Sequence, residues 1–186
     1  RLLGFVQFLE VHQENDVTQV YLQLQPGETC VLRTFSSQEV KGQKWEYLHV
    51  DGEPYEIKGT WDVTFIEGGP TLPKSFKTQN LVCWTKLGGA EAEAFAGTAK
   101  YTLAFRKPDN NVDDWVLDLG EVHESARVRV NEQHIGTLIC PPFRLPIGKV
   151  LHEGINELEI EVTNLAANRI RYMDRNKIPW KEKFYN

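Results

Sequence analysis

The stretch Asn156-Glu157-Leu158-Glu159-Ile160-Glu161-Val162-Thr163-Asn164 decides the fold. Leu158, Ile160 and Val162 alternate with Glu157, Glu159 and Glu161. That strict period of two specifies a β-strand with one buried and one wet face. Burying the three aliphatic side chains stabilises by roughly 1.5–3 kcal/mol each. Glu153-Gly154-Ile155-Asn156 is a turn-rich lead-in. Just upstream, residues 125–130 and 134–139 read as two further strands, joined at Asn131-Glu132-Gln133. Just downstream, residues 165–175 lose the alternation, and the run 165–173 is expected to leave the sheet as a turn or short helix that carries Arg169 and Arg171 away from the core.

The same pattern recurs along the chain. Val20, Leu22 and Leu24 alternate with Tyr21 and Gln23, Pro26-Gly27-Glu28 forms a turn, and residues 30–35 are expected to return as the partner strand. Residues 36–44 are polar and read as a loop. Residues 46–50 and 55–58 flank Asp51-Gly52-Glu53-Pro54, where Asp-Gly is a turn signal. From Gly59 the pattern restarts: Trp61, Val63 and Phe65 alternate with Thr60, Asp62 and Thr64, and Gly68-Gly69-Pro70 and Pro73 break it. Residues 90–95 suit a helical turn or two. Tyr101, Leu103 and Phe105, then Trp115, Leu117 and Leu119, mark two more strands on either side of a loop at 108–113. After Pro141-Pro142 comes a short strand at 143–145. Many short strands, frequent turns and almost no helical periodicity give an all-β chain built as a two-sheet sandwich. A boundary falls near Gly59. Residues 1–58 read as the end of a preceding β-domain or a packed β extension, and residues 59–186 as one sandwich.

Composition narrows the function classes. With 186 residues and 41% hydrophobic content the chain can build a real core. A formal charge of −5 argues against general binding to nucleic acid or anionic membranes. No apolar run approaches a membrane span. Arg1-Leu2-Leu3-Gly4-Phe5 does not read as a signal peptide, so for an exported protein the signal would lie outside this chain. Cys30, Cys83 and Cys140 are far apart and odd in number, so they form no disulfide framework and are expected to be buried thiols.

Several runs line up in order: Gly59-Thr60-Trp61, Gly97-Thr98-Ala99-Lys100-Tyr101, Leu117-Asp118-Leu119-Gly120-Glu121-Val122 and Ser125-Ala126-Arg127-Val128-Arg129-Val130-Asn131. They continue with Ile135-Gly136-Thr137-Leu138, Pro142-Phe143-Arg144, Gly154-Ile155-Asn156-Glu157-Leu158 and Val162-Thr163-Asn164-Leu165-Ala166-Ala167-Asn168-Arg169-Ile170-Arg171. This set resembles the galactose-binding-like jelly roll that accompanies glycoside hydrolases of family 2, and more closely the C-terminal module of the α-L-rhamnosidases of glycoside hydrolase family 106. The resemblance covers about residues 59–180, and residues 17–35 resemble the end of the domain before it. It implies a jelly-roll β-sandwich that is a non-catalytic accessory module of a larger periplasmic or secreted polysaccharide-degrading enzyme. The catalytic pair would lie in an upstream domain. The implied partners are the other domains of the parent hydrolase and an oligosaccharide. Two positions depart from the family pattern. Asn131-Glu132 replaces Asn-Gly at the hairpin turn, which a longer turn through Gln133 would accommodate, and Tyr172 stands where an acid is expected.

The residues themselves add little chemistry. Glycoside hydrolysis needs two carboxylates about 5–9.5 Å apart, and no such constellation is legible. Asp118 reads as a wet or edge residue, and Glu157, Glu159 and Glu161 as solvated and unpositioned. None of the five histidines has an i, i+2 or i, i+4 partner, no Ser/His/Asp order is visible, and no glycine-rich phosphate loop exists, so neither a metal nor a cofactor is expected. Trp61 and Trp115 share faces with apolar neighbours and read as core. Trp84 and Trp180 lie in less regular segments and are candidates for sugar stacking or domain contact. Arg144 is either a donor to a hydroxyl-rich ligand or a surface salt bridge. Residues 168–183 are basic, and Asn164, Asn168, Arg169 and Arg171 are expected to form one polar cluster that docks on a neighbouring domain. A free-standing carbohydrate-binding module and a glycosidase in its own right stay open as alternatives.

Overall fold

The structure is a computed structural model and describes residues 9–24, 26–37, 44, 45, 47, 49–110 and 112–184. The expectation for residues 1–5, and parts of those for residues 36–44 and 46–50, lie outside the described residues. The chain divides into two compact units, Arg1–Glu53 and Pro54–Asn186.

In the first unit β1 (Val11–Glu14) pairs antiparallel with β2 (Val17–Val20). The connecting Asn15 and Asp16 both adopt left-handed φ, of 50° and 63°. These are the non-glycine residues that tolerate the two-residue hairpin turn best. The expected hairpin of 20–24 with 30–35 does not form. Its turn is present, with Gly27 at φ 90°, but the arms are not strands. Val31 and Leu32 on the second arm are 89% and 51% exposed, and the ladder of this unit forms instead where Asn15-Asp16 supplies the two-residue turn. Residues 55–58 likewise carry no strand, although Gly52 bends the chain at φ 82°.

The second unit is an all-β sandwich of jelly-roll type. Its larger sheet has the order β4-β3-β5-β10-β7-β8, from β3 (Trp61–Gly69), β4 (Phe76–Thr78), β5 (Ala96–Arg106), β7 (Ser125–Val130), β8 (Gln133–Leu138) and β10 (Ile155–Thr163). A second, two-stranded sheet pairs β6 (Val116–Asp118) with β9 (Arg144–Pro146). Backbone bonds from Ile147 N to Trp115 O and from Leu119 N to Phe143 O lengthen it at both ends. Every pairing is antiparallel.

The period-two stretch is β10, and it sits inside the sheet between β5 and β7. Its register sets three apolar rows: Leu103-Leu158-Val130, Tyr101-Ile160-Val128 and Ala99-Val162-Ala126. These rows pack on Leu117, Leu145 and Ile147 from the second sheet side. Gly136 on β8 is where Leu145 packs, since a Cβ there would lie 3.0 Å from Leu145 Cδ2.

The opposite face departs from the expected solvated glutamates. Glu159 and Glu161 are only 17% and 14% exposed. Lys100 Nζ on β5 lies 3.1 Å from Glu159, Arg129 Nη1 on β7 lies 3.5 Å from it, and Arg127 Nη1 lies 3.0 Å from Glu161. Cross-strand neighbours of opposite charge fold down over the pleat and fill it.

The β7–β8 turn stays at two residues. Val130 pairs with Gln133, so only Asn131 and Glu132 turn, both left-handed at φ 50° and 66°. For glutamate this conformation costs about 1–2 kcal/mol. Asn131 holds it in place. Its Nδ2 donates to Val150 O and to Asn156 Oδ1, both at 2.8 Å, and its Oδ1 accepts from Glu157 N at 3.0 Å. Asn156 is 1% exposed and uses its amide fully, accepting from His152 N and donating to His152 O and Gly154 O. The three thiols, expected inside, are free and exposed. Cys83 and Cys140 fall in the loops that flank the strands, outside the alternation that marks the core.

Two outcomes follow. Asn131→Ala and Asn156→Ala should each destabilise by about 2–4 kcal/mol, because each leaves several buried groups unpaired. Since both remove the same Asn131–Asn156 bond, the double variant should cost about 1 kcal/mol less than the sum of the singles in urea denaturation. Strict additivity would show that the two amides do not act together.

Tyr101, 8% exposed in the core row, has its phenol pushed up to about 12 by burial and, secondarily, by the neighbouring Cys83 thiol. Above pH 10 the unfolded chain loses this proton while the folded chain keeps it, so folding loses stability as pH rises. The loss amounts to about 2–3 kcal/mol between pH 10 and 12. Tyr101→Phe should lack this component when both proteins are denatured across that window, and equal slopes would refute it.

Candidate functional site

Beyond β10 the chain turns across the sheet edge. Asn164 Oδ1 accepts from Gly97 N at 2.8 Å, its Nδ2 donates to Phe95 O at 3.1 Å, and its own N–H donates to Gly97 O. Gly97 faces Gly68 across the ladder with both residues at positive φ. A Cβ on Gly97 would come within 2.6 Å of Gly68 Cα. Only glycines allow β3 and β5 to approach so closely there.

Helix α2 (Ala167–Arg175) follows. Ala166, Ile170 and Met173, spaced by four and three, turn toward the protein, with Met173 fully buried. The helix closes with a Schellman arrangement: Ile178 N donates to Met173 O, Lys177 N donates to Asp174 O, and Lys177 is left-handed at φ 56°. A second face carries the exposed Arg171, Tyr172 and Arg175, with the half-buried Arg169 beside Tyr172. The Arg169 guanidinium lies 5.5 Å from the centre of the Tyr172 ring.

Against this face lies α1 (Gly89–Glu93), and the two helices leave a hollow of about 200 Å³. Ala90 and Glu93 line it from α1, and Arg171, Tyr172, Arg175 and Asn176 from α2 and its C-cap. Arg175 Nη1 reaches Glu93 Oε1 at 3.4 Å. Asn176 spends its Nδ2 on Tyr172 O at 2.8 Å. The lining therefore combines two cations, one anion, a phenol and a free amide oxygen. Among the described residues no group of three or more His, Cys, Asp or Glu is placed to hold a metal.

The residues singled out from the sequence are dispersed over this unit. Trp84 is 4% exposed and packs edge-on against Phe65 and Phe95 at 5.8 and 6.1 Å, so it is core and not available for stacking on a sugar. Its Nε1 is buried without an acceptor. Arg144 Nε pairs with Asp118 at 2.7 Å across the β6–β9 ladder. Trp180 is half-buried and donates to Asp174 at 3.1 Å. Among the described residues Asn164, Asn168, Arg169 and Arg171 make no hydrogen bond with one another, and Asn168 lies in the first turn of α2. Asn164 clamps the sheet edge, Arg169 stacks on Tyr172, and Arg171 lines the groove. Of the groove residues only Arg171 was singled out as a candidate. Arg175 becomes legible once 165–175 is read as a helix, because it stands four residues after Arg171. Glu93 does not, since it is brought in from 82 residues away.

No protein-family model matches the chain. It is 36% identical over 124 residues to the "Putative beta-glucuronidase" of Formosa agariphila, covering 63% of this chain and 10% of that protein. A rhamnosidase from Novosphingobium sp. PP1Y superposes over 67% of this chain and 12% of its own, with a TM-score of 0.57 and 33% identity. A β-glucuronidase of an uncultured Clostridium sp. covers 64% of this chain and 24% of its own at a TM-score of 0.52 and 20% identity, which shows a shared fold. The chain thus spans about a tenth of the curated relative and of the rhamnosidase. Over two thirds of its length it is structurally homologous to one module of that rhamnosidase.

Proposed function

We propose that this chain is a non-catalytic accessory module of a glycoside hydrolase related to the rhamnosidases, and that it braces the neighbouring catalytic domain. The observation that carries this reading is how the carboxylates of the sandwich are engaged. Glycosidases set one protonated and one ionised carboxyl group across a sugar-sized gap. Here Glu159 and Glu161, side by side on β10, are clamped by Lys100, Arg127 and Arg129 from the flanking strands. Asp118 is taken by Arg144 and by the N–H of Gly120, and Glu93 by Arg175. Each of these acids is matched to a cation on a sheet or helix surface. The similarity to a small part of much longer hydrolases supports the same reading.

The test is a panel of chromogenic aryl glycosides, including α-L-rhamnosides and β-glucuronides, assayed with the chain at high concentration. No turnover above background is expected. Turnover abolished by changing a single Asp or Glu to its amide would replace the accessory reading with an enzymatic one.

A further inference from the structure

The groove between α1 and α2 is built at a cost to its own helix. Arg171 and Arg175 stand four residues apart on one face, and like charges at that spacing destabilise a helix. Helix α2 has no side-chain N-cap and no acidic residue in its first turn to offset this. Glu93 offsets only Arg175. Arg171 is exposed, and among the described residues it makes no hydrogen bond or ion pair. A guanidinium so placed presents a planar fork of donors suited to a carboxylate or sulfate.

The rest of the lining suits a sugar ring. Glu93 and the remaining Asn176 Oδ1 are acceptors for hydroxyl groups, and Arg175 and the Tyr172 phenol are donors. The Tyr172 ring is held by Arg169 on its own helix, and Ala90 leaves room beside it. Two arginines against one glutamate give the groove a net positive charge within a chain whose formal charge is −5.

We infer that the α1–α2 groove binds an acidic sugar, one whose ring carries a carboxylate or a sulfate. The choice of a sugar rests on the accessory-module reading, and the choice of an acidic one rests on Arg171 and Arg175. The rival occupant is an acidic side chain from a neighbouring domain, which would offer a carboxylate without a ring of hydroxyls.

The experiment is an amide-resolved NMR titration of the whole chain at constant ionic strength with glucuronate, glucose 6-sulfate, glucose and acetate. Glucuronate or glucose 6-sulfate should shift the amides of Ala90, Glu93, Arg171 and Asn176 saturably in the millimolar range. Glucose and acetate should each bind about tenfold more weakly, because each lacks half of what the groove reads. Arg171→Ala should weaken the acidic sugars about tenfold while the melting temperature holds or rises slightly, since a like-charge pair is removed. Acetate binding as tightly as glucuronate would assign the groove to a bare carboxylate and overturn the inference. Equal binding of glucose, an unaffected Arg171→Ala, or no saturable shift would overturn it as well. None of these outcomes bears on aryl glycoside turnover, so failure here is distinguishable from failure of the accessory reading.

Discussion

A strand paired on both sides cannot slip by one residue without breaking two ladders, and β10 is such a strand. A slip would also exchange its apolar and charged faces. An asparagine pins each end. Asn156 joins the start of the strand to the β7–β8 turn through Asn131, and Asn164 ties its far end to the opening of β5. Side-chain amides act as molecular rivets here because each offers donors and an acceptor in one rigid plane. The hydrophobic rows supply most of the stabilisation, and the amides supply the unique alignment.

How far the sequence spoke depended on the range of the interaction. The central strands, the loop at 108–113 and the short helices were legible because alternation, turn residues and helix spacing are local. The pattern of strands and turns also gave the two-sheet sandwich, and the resemblance added its jelly-roll type. The N-terminal hairpin falls elsewhere than its alternation indicates: 20–24 and 30–35 carry the alternation, but the ladder forms at Val11–Glu14 and Val17–Val20, where Asn15 and Asp16 both take the left-handed turn conformation. Trp84 was taken for a surface candidate because it lies in an irregular segment. A single helical turn outside the ladders can still drop an indole into the aromatic cluster of Phe65 and Phe95. The candidate site was only half legible, through Arg171, because its other wall comes from a helix far away in sequence.

The charged side chains divide into two populations. On the sheet Lys100, Arg127 and Arg129 pair with Glu159 and Glu161 between neighbouring strands. On α2 Arg171 and Arg175 share one helix face, and among the described residues only Arg175 of the two is in an ion pair. The groove proposed above to bind a ligand therefore lies on the short helical appendage, with the sandwich as its mount. Such a division lets a common scaffold take up new ligands without disturbing its core.

The left-handed Glu132 has an evolutionary corollary. A glutamate codon becomes a glycine codon by one nucleotide change, and glycine would adopt the same turn without the steric cost of a side chain. The chain thus keeps a reserve of about 1 kcal/mol within a single mutational step, after allowing for the greater entropy that glycine brings to the unfolded state. That reserve is open to later substitutions elsewhere that cost stability.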